Sequence, residues 1–235
     1  MQSRWVSLGA GEHEGFEGFL ALPPAGRGPG LLLWQEIFGV NAHIRRVAEQ
    51  YALAGFTVLA PDVFWRGERR VELGYEAEGM ARGRALMGAI APAALRADIE
   101  AAAATLRSRP EFSGERLGAV GYCFGGRLAY LSAAWAGVDA AVSYYGGGIH
   151  DQLALAPDIR GDLLFHYAEN DTHIPLEAVA RVRDATCTTG RPGNACHVYP
   201  GTQHGFNCWE RGSYHAGASA LALGRSLQFL AERLF

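Results

Sequence analysis

RLGAVGYCFGGRLAY, residues 116–130, runs from an apolar segment through a glycine-flanked cysteine into a helical pattern. The outline is that of a strand, a sharp turn and a helix, with the central residue of the turn lifted above the end of a sheet. Such a turn strains the backbone and brings the helix close, so it needs small neighbours. Gly121, Gly125 and Gly126 supply them. The residue at the apex is Cys123, in the place of the serine of a G-x-S-x-G turn. A helix N-terminus favours negative charge and so stabilises a thiolate there. The N–H of Phe124 points at the same place and suits an oxyanion. Against this, a free cysteine is often only a small buried apolar residue. The rest of the chain has to decide between the two.

Working outward, short β-rich runs alternate with helical patterns. Residues 4–8 and 16–22 alternate in polarity like an antiparallel pair. GLLLWQ, 30–35, is continuously apolar, as in a strand buried on both faces. Asn41 is placed to cap a helix running to Ala54, with Ile44, Val47, Ala48 and Tyr51 on one face and Gly55 as its stop. Further strands are expected at 56–61, 116–123, 140–146, 162–169 and 196–200. Helices are expected at 93–107, from the cysteine to about Trp135, after Pro175, and over about 214–233. Residues 66–90, rich in arginine and glycine, fit no pattern clearly. Strands joined by helical crossovers form a mostly parallel sheet covered on both faces. The expectation is one α/β domain over residues 1–235 with about eight strands.

Composition narrows the function. The chain has 235 residues, a net charge of −3, and 21 basic residues that are all arginine. Without lysine, Schiff-base, P-loop and Ser–Lys chemistries are excluded. The charge gives no case for a nucleic-acid partner or an anionic membrane surface. No stretch has the layout of a secretory leader or the length of a membrane span, so a cytosolic chain is expected. Cys123, Cys187, Cys196 and Cys208 do not form a disulfide framework, although Cys187 and Cys196 flank a Gly/Pro loop. A zinc site from Cys187, Cys196, His197 and Cys208 lacks paired short spacing, so no metal is expected.

In a parallel sheet the ligand crevice lies beyond the carboxyl ends of the strands. Asp171 follows the strand at 162–168, and His204 follows the strand at 196–200. With Cys123 they give the order nucleophile, acid, histidine. The acid orients and stabilises the imidazolium, and the imidazole moves the thiol proton. Glu169 is a rival for the acid, but Asp171 is preferred. Glu36 closes an apolar strand at the ligand end of the sheet, where poor solvation raises its pKa.

Taken together, QEIFGVNAHIRRVAEQYALAGFTVLAPD (35–62), GAVGYCFGGRLAY (118–130), SYYGGG (143–148), HYAENDTHIP (166–175) and YPGTQHGF (199–206) resemble the dienelactone hydrolases, also called carboxymethylenebutenolidases. The resemblance implies an α/β-hydrolase fold and a Cys123–His204–Asp171 triad. It also implies that Glu36 faces the thiol and that the N–H groups of Ile37 and Phe124 form the oxyanion hole. A small monomeric enzyme without cofactor is implied, acting on an enol-lactone or related ester during aromatic breakdown.

One departure stands out. The family's carboxylate-binding arginine four residues past the histidine is replaced by Cys208. Asn207, Cys208 and Trp209 then suggest a neutral wall, with Arg211 able to substitute only if the loop folds back. The second clamp arginine is expected in 76–90, as Arg82 or Arg84. Phe38, Phe64, Trp65, Tyr145, Phe206 and Trp209 are candidates for an aromatic lining. A larger, less charged lactone or ester is one alternative substrate; a thiol-based binding or redox-sensing protein is an alternative of another class.

Overall fold

The computed structural model describes residues 2–9, 11–188 and 191–235. Its strands are β1 Gln2–Ser7, β2 Glu17–Leu22, β3 Gly28–Trp34, β4 Thr57–Pro61, β5 Phe112–Tyr122, β6 Ala140–Tyr144, β7 Asp162–Ala168 and β8 Ala195–Tyr199. They form one eight-stranded sheet in the order β1-β2-β4-β3-β5-β6-β7-β8. The β1–β2 and β2–β4 pairs are antiparallel and every later pair is parallel. This is the mostly parallel sheet the alternating pattern implies.

Among the described residues six α-helices connect or cover the strands: α1 Ala42–Leu53, α2 Ala77–Gly88, α3 Pro92–Ser108, α4 Phe124–Trp135, α5 Leu176–Arg183 and α6 Ala216–Leu234. Asn41 caps α1 by accepting from the Ile44 N–H at 3.2 Å, and α1 buries Ile44, Val47, Ala48 and Tyr51. Pro92 opens α3, where its missing N–H costs nothing. Within 66–90 the chain forms α2, whose fully buried positions are Gly79 and Gly83. A Cβ at Gly83 would stand 2.2 Å from the Ile37 carbonyl oxygen, so α2 lies directly on the backbone past β3.

β3 is buried along its whole length. The Trp34 indole N–H donates to Ser132 on α4 at 2.9 Å. A Cβ at Gly118 would meet Leu230 and Leu234 of α6 together with Leu31. Leu31 and Trp34 are an odd number of residues apart, so they face opposite sides of the sheet. α4 and α6 therefore cover opposite faces, and the carboxyl ends of β3, β5, β7 and β8 stay free for a site. Among the described residues no helix is long and apolar enough to cross a membrane.

Candidate active site

The turn after β5 is as tight as its glycines imply. Cys123 has φ 55° and ψ −116°, a conformation L-residues seldom adopt. Its N–H donates to the Tyr144 carbonyl at 3.0 Å, tying the turn to the end of β6. A Cβ at Gly125 would lie 2.2 Å from the Trp34 carbonyl oxygen, and one at Gly126 would lie 2.6 Å from that of Tyr144. The start of α4 is thus wedged between the ends of β3 and β6, holding the Cys123 side chain above the sheet.

The loops after β7 and β8 are joined to each other. The Asn170 N–H donates to the Thr202 carbonyl at 2.9 Å, and the Gly201 N–H donates to the Glu169 carboxylate at 2.8 Å. That contact engages Glu169 in holding the turn. Asp171 instead faces the histidine: its Oδ2 is 2.7 Å from His204 Nδ1. The other oxygen, Oδ1, accepts the N–H groups of His173 at 2.8 Å and Ile174 at 3.2 Å. Burial acts to lower the His204 pKa, but the negative charge of Cys123 and the Asp171 contact outweigh it and push the group up to about 10. His173 packs edge-on against His204, and burial and the charge on His204 lower its pKa.

Cys123 and His204 line a cavity of about 360 Å³ together with Ile37, Phe38, Phe124 and Arg84. Met80, Met87, Arg127, Gly147, His173 and Arg211 complete its wall. Ile37 and Phe124, the two residues expected to donate N–H groups, thus border the same space as the thiol.

Glu36 carries the raised pKa that its place at the end of a buried strand implies. It is 1% exposed, with its pKa raised by burial against the lowering effect of Arg211 and His204. Its Oε1 accepts from Arg211 Nη1 at 3.3 Å, while Oε2 has no hydrogen-bond partner. The carboxylate is therefore engaged by Arg211 and makes no hydrogen bond to Cys123.

The loop after His204 differs from the neutral wall suggested by its sequence. Cys208 is buried beside Tyr75 and Glu36, and burial, then the Glu36 charge, pushes its thiol up to about 12. Asn207 accepts from Ser219 in the interior at 2.9 Å. Trp209 packs outward against His43, its ring centroid 4.2 Å away. Successive turns fold the chain back: Arg211 N–H donates to the Cys208 carbonyl, and His215 N–H to that of Phe206. Arg211 is thereby laid over Gly205 and across the Phe38 ring.

Other expected substrate contacts divide. Phe38 and Arg84 line the cavity, whereas Arg82 points to the surface and pairs with Glu68. Phe206 and Tyr145 are fully buried, their rings 5.4 Å apart, and Tyr145 supports His204 with its ring 5.0 Å away. Phe64 and Trp65 are likewise buried, Phe64 stacked on Phe124 and Trp65 on Phe16. These residues pack the core beneath the site and do not line it. Arg127 was not anticipated, although it follows Cys123 by four residues and so shares its side of α4.

All four cysteines are free, and among the described residues no group of three or more His, Cys, Asp and Glu is arranged to hold a metal.

Comparison with known proteins settles the family. The dienelactone hydrolase family model matches residues 16–234. The chain belongs to the dienelactone hydrolase family. A relative from Synechocystis sp., provisionally named as a carboxymethylenebutenolidase, is 35% identical, with 92% of each chain aligned. The carboxymethylenebutenolidase of Pseudomonas putida is 32% identical over 98% of this chain and 97% of its own. A crystal structure from Klebsiella pneumoniae, provisionally assigned as a dienelactone hydrolase, superposes with a TM-score of 0.83 at 26% identity, covering 98% of both chains. Dienelactone hydrolase family membership thus extends over almost the whole chain, elbow and both site loops included.

Proposed function

We propose that the protein hydrolyses an anionic lactone or enol ester, of the kind cleaved by its carboxymethylenebutenolidase relatives, through a thioester on Cys123. The observation that carries this reading is the meeting of Cys123 and His204 at one cavity with Asp171 bonded behind the ring, the order of a nucleophile, its base and the orienting acid. The Cys123 thiolate attacks the carbonyl carbon, forming the C–S bond. Negative charge develops on the carbonyl oxygen, which the N–H groups of Ile37 and Phe124 receive. As the C–O bond breaks, protonated His204 gives its proton to the leaving enol oxygen. Water, deprotonated by His204, then attacks the thioester; the C–S bond breaks and the thiolate returns. One water is consumed.

The lining favours an anion. Arg211 faces the cavity from the loop after β8, and Arg84 faces it from α2. Guanidinium–carboxylate contacts are strong and geometrically selective. We assign these two arginines to a substrate carboxylate, with Glu36 as the contact that holds Arg211 in place.

The test is a panel of cis- and trans-dienelactone, neutral lactones and aryl esters, run on the native enzyme and on Cys123→Ala. Anionic lactones are expected to be preferred, with activity abolished in the variant. Stoichiometric iodoacetamide is expected to label Cys123 and stop turnover. Hydrolysis that survives either treatment would remove Cys123 from the mechanism.

A further inference from the structure

The lining of the cavity carries three arginines, Arg84, Arg127 and Arg211, and no carboxylate. Arg211 has Glu36 at 3.3 Å. Arg127 has no such partner: among the described residues it makes no ion pair and no hydrogen bond. Its guanidinium lies over the Phe124 ring, 5.3 Å from the centroid, and its Nη1 stands 3.0 Å from where a Cβ of Gly148 would be. Cys123 and then Asp151 act on it through charge alone, without a hydrogen bond or ion pair, and the Asp151 side chain is 69% exposed and turned to His150. A half-buried cation with five donors and no acceptor is costly unless something that enters the cavity satisfies it.

Position gives the second part. Arg211 covers Phe38, just past β3. Arg127 covers Phe124, just past β5, and abuts Gly148, past β6. The sheet order is β3-β5-β6, with Cys123 at the end of β5. One guanidinium therefore touches the segment past β3 and the other the segment past β6, and Cys123, at the end of β5, acts on both through charge. A substrate with a single carboxylate bound at Arg211 and Arg84 leaves Arg127 unsatisfied. A substrate with anionic groups on both sides of its scissile carbonyl answers both.

We infer that Arg127 forms a second anion subsite and that the substrate is a dianion, its second carboxylate held on the nucleophile's own helix. This rests on the thiol-hydrolase reading above. Three chromogenic esters separate the two ideas. They are 4-nitrophenyl butyrate (neutral), the mono-4-nitrophenyl ester of glutarate (one carboxylate) and the central-carboxyl mono-4-nitrophenyl ester of tricarballylate (two carboxylates flanking the ester). Their kcat/KM values are measured on the native enzyme, Arg127→Met, Arg127→Lys and Cys123→Ala. The native enzyme is expected to favour the dianion over the monoanion by about 10–100-fold, the range for a charge-assisted contact. Arg127→Met is expected to abolish that ratio, and Arg127→Lys to restore part of it. Because the readout is a ratio within one variant, any general effect of Arg127 on the thiol cancels. A native ratio of one or less overturns the inference, as does an unchanged ratio in Arg127→Met. If none of the three esters is cleaved in a Cys123-dependent way, it is the hydrolase reading that has failed.

Discussion

Removing Arg211 isolates the energetics of the pair beneath the cavity. In Arg211→Met, Glu36 keeps its 1% exposure and loses the one hydrogen bond its carboxylate makes; its other oxygen already has none. Breaking a buried ion pair from one side costs about 3–5 kcal/mol, and the 3.3 Å separation argues for the lower end. At about 2–4 °C per kcal/mol for a chain of this size, Tm should fall by roughly 6–12 °C at pH 8. The cost depends on pH. Burial raises the Glu36 pKa above its ordinary 4.5, and Arg211 works against that rise. A carboxyl with a raised folded pKa contributes stability that is complete below the unfolded value and is lost as pH climbs through the folded one. Without Arg211 the folded value climbs further, so the loss extends across a wider range above 4.5. The gap between variant and native protein should therefore be large at pH 8 and shrink as pH falls, since the further-raised Glu36 takes up its proton at higher pH in the variant. Glu36→Gln combined with Arg211→Met removes the buried charge and should recover most of the Tm. Thermal unfolding of the three proteins at both pH values is the assay. An equal Tm loss at pH 5 and pH 8, or a double variant no more stable than the single one, would refute the buried-charge account.

Three further outcomes follow from the site. His204 is held up to about 10, so its ring NMR signals should stay those of an imidazolium from pH 6 to 9; a midpoint near 6.5 would contradict the coupling to Cys123 and Asp171. Asp171→Asn should lower kcat by roughly 10²–10⁴-fold while the fold persists, since the amide oxygen can still accept the His173 and Ile174 N–H groups; a loss under tenfold would remove Asp171 from its role. Gly83→Ala places a methyl 2.2 Å from the Ile37 carbonyl oxygen, so α2 or the oxyanion segment must shift at a cost of about 1–3 kcal/mol. Its kcat should fall more than its KM changes, and unaltered kinetics would mean the Ile37 N–H is not used.

How far the sequence discloses this arrangement depends on what carries the signal. The elbow is readable because its glycines recur at the spacing that close backbone approach demands, and β3 because five of its seven residues, with no charge among them, are apolar or aromatic or proline. α2 is not, because its buried positions are Gly79 and Gly83: close approach replaces apolar bulk, and no 3.6-residue hydrophobic stripe results. Arg211 eludes a count from the histidine because turns between Gly205 and His215 bring a residue seven positions on to the cavity wall. The same folding sends Cys208 inward and Trp209 outward, so the neutral wall does not form. Tyr145 and Phe206 carry no sequence mark separating a core ring from a lining one. Arg127 was open to inference, since i and i+4 share a helix side, yet a lone arginine in a helix reads first as a solvated one.

Under the proposed mechanism an anionic nucleophile serves an anionic substrate, and the placement of charge at the site accommodates both. A thiolate alone would repel a carboxylate-bearing ester, and a second carboxylate turned toward it, as expected of Glu36, would repel it further. The structure sets a cation against each of these charges. His204, kept protonated, stands against the Cys123 charge, with Asp171 behind the ring. Glu36 is turned to Arg211 and buried. Each negative group at the site thus has a cation or a pair of backbone donors set against it, while Arg84 and Arg127 are left facing the cavity without an acid. Under the proposed mechanism a substrate meets these unmatched guanidinium groups, and its own carboxylates complete the balance. Loss of either free arginine should then be felt by anionic substrates first, and by neutral esters only through the thiol itself.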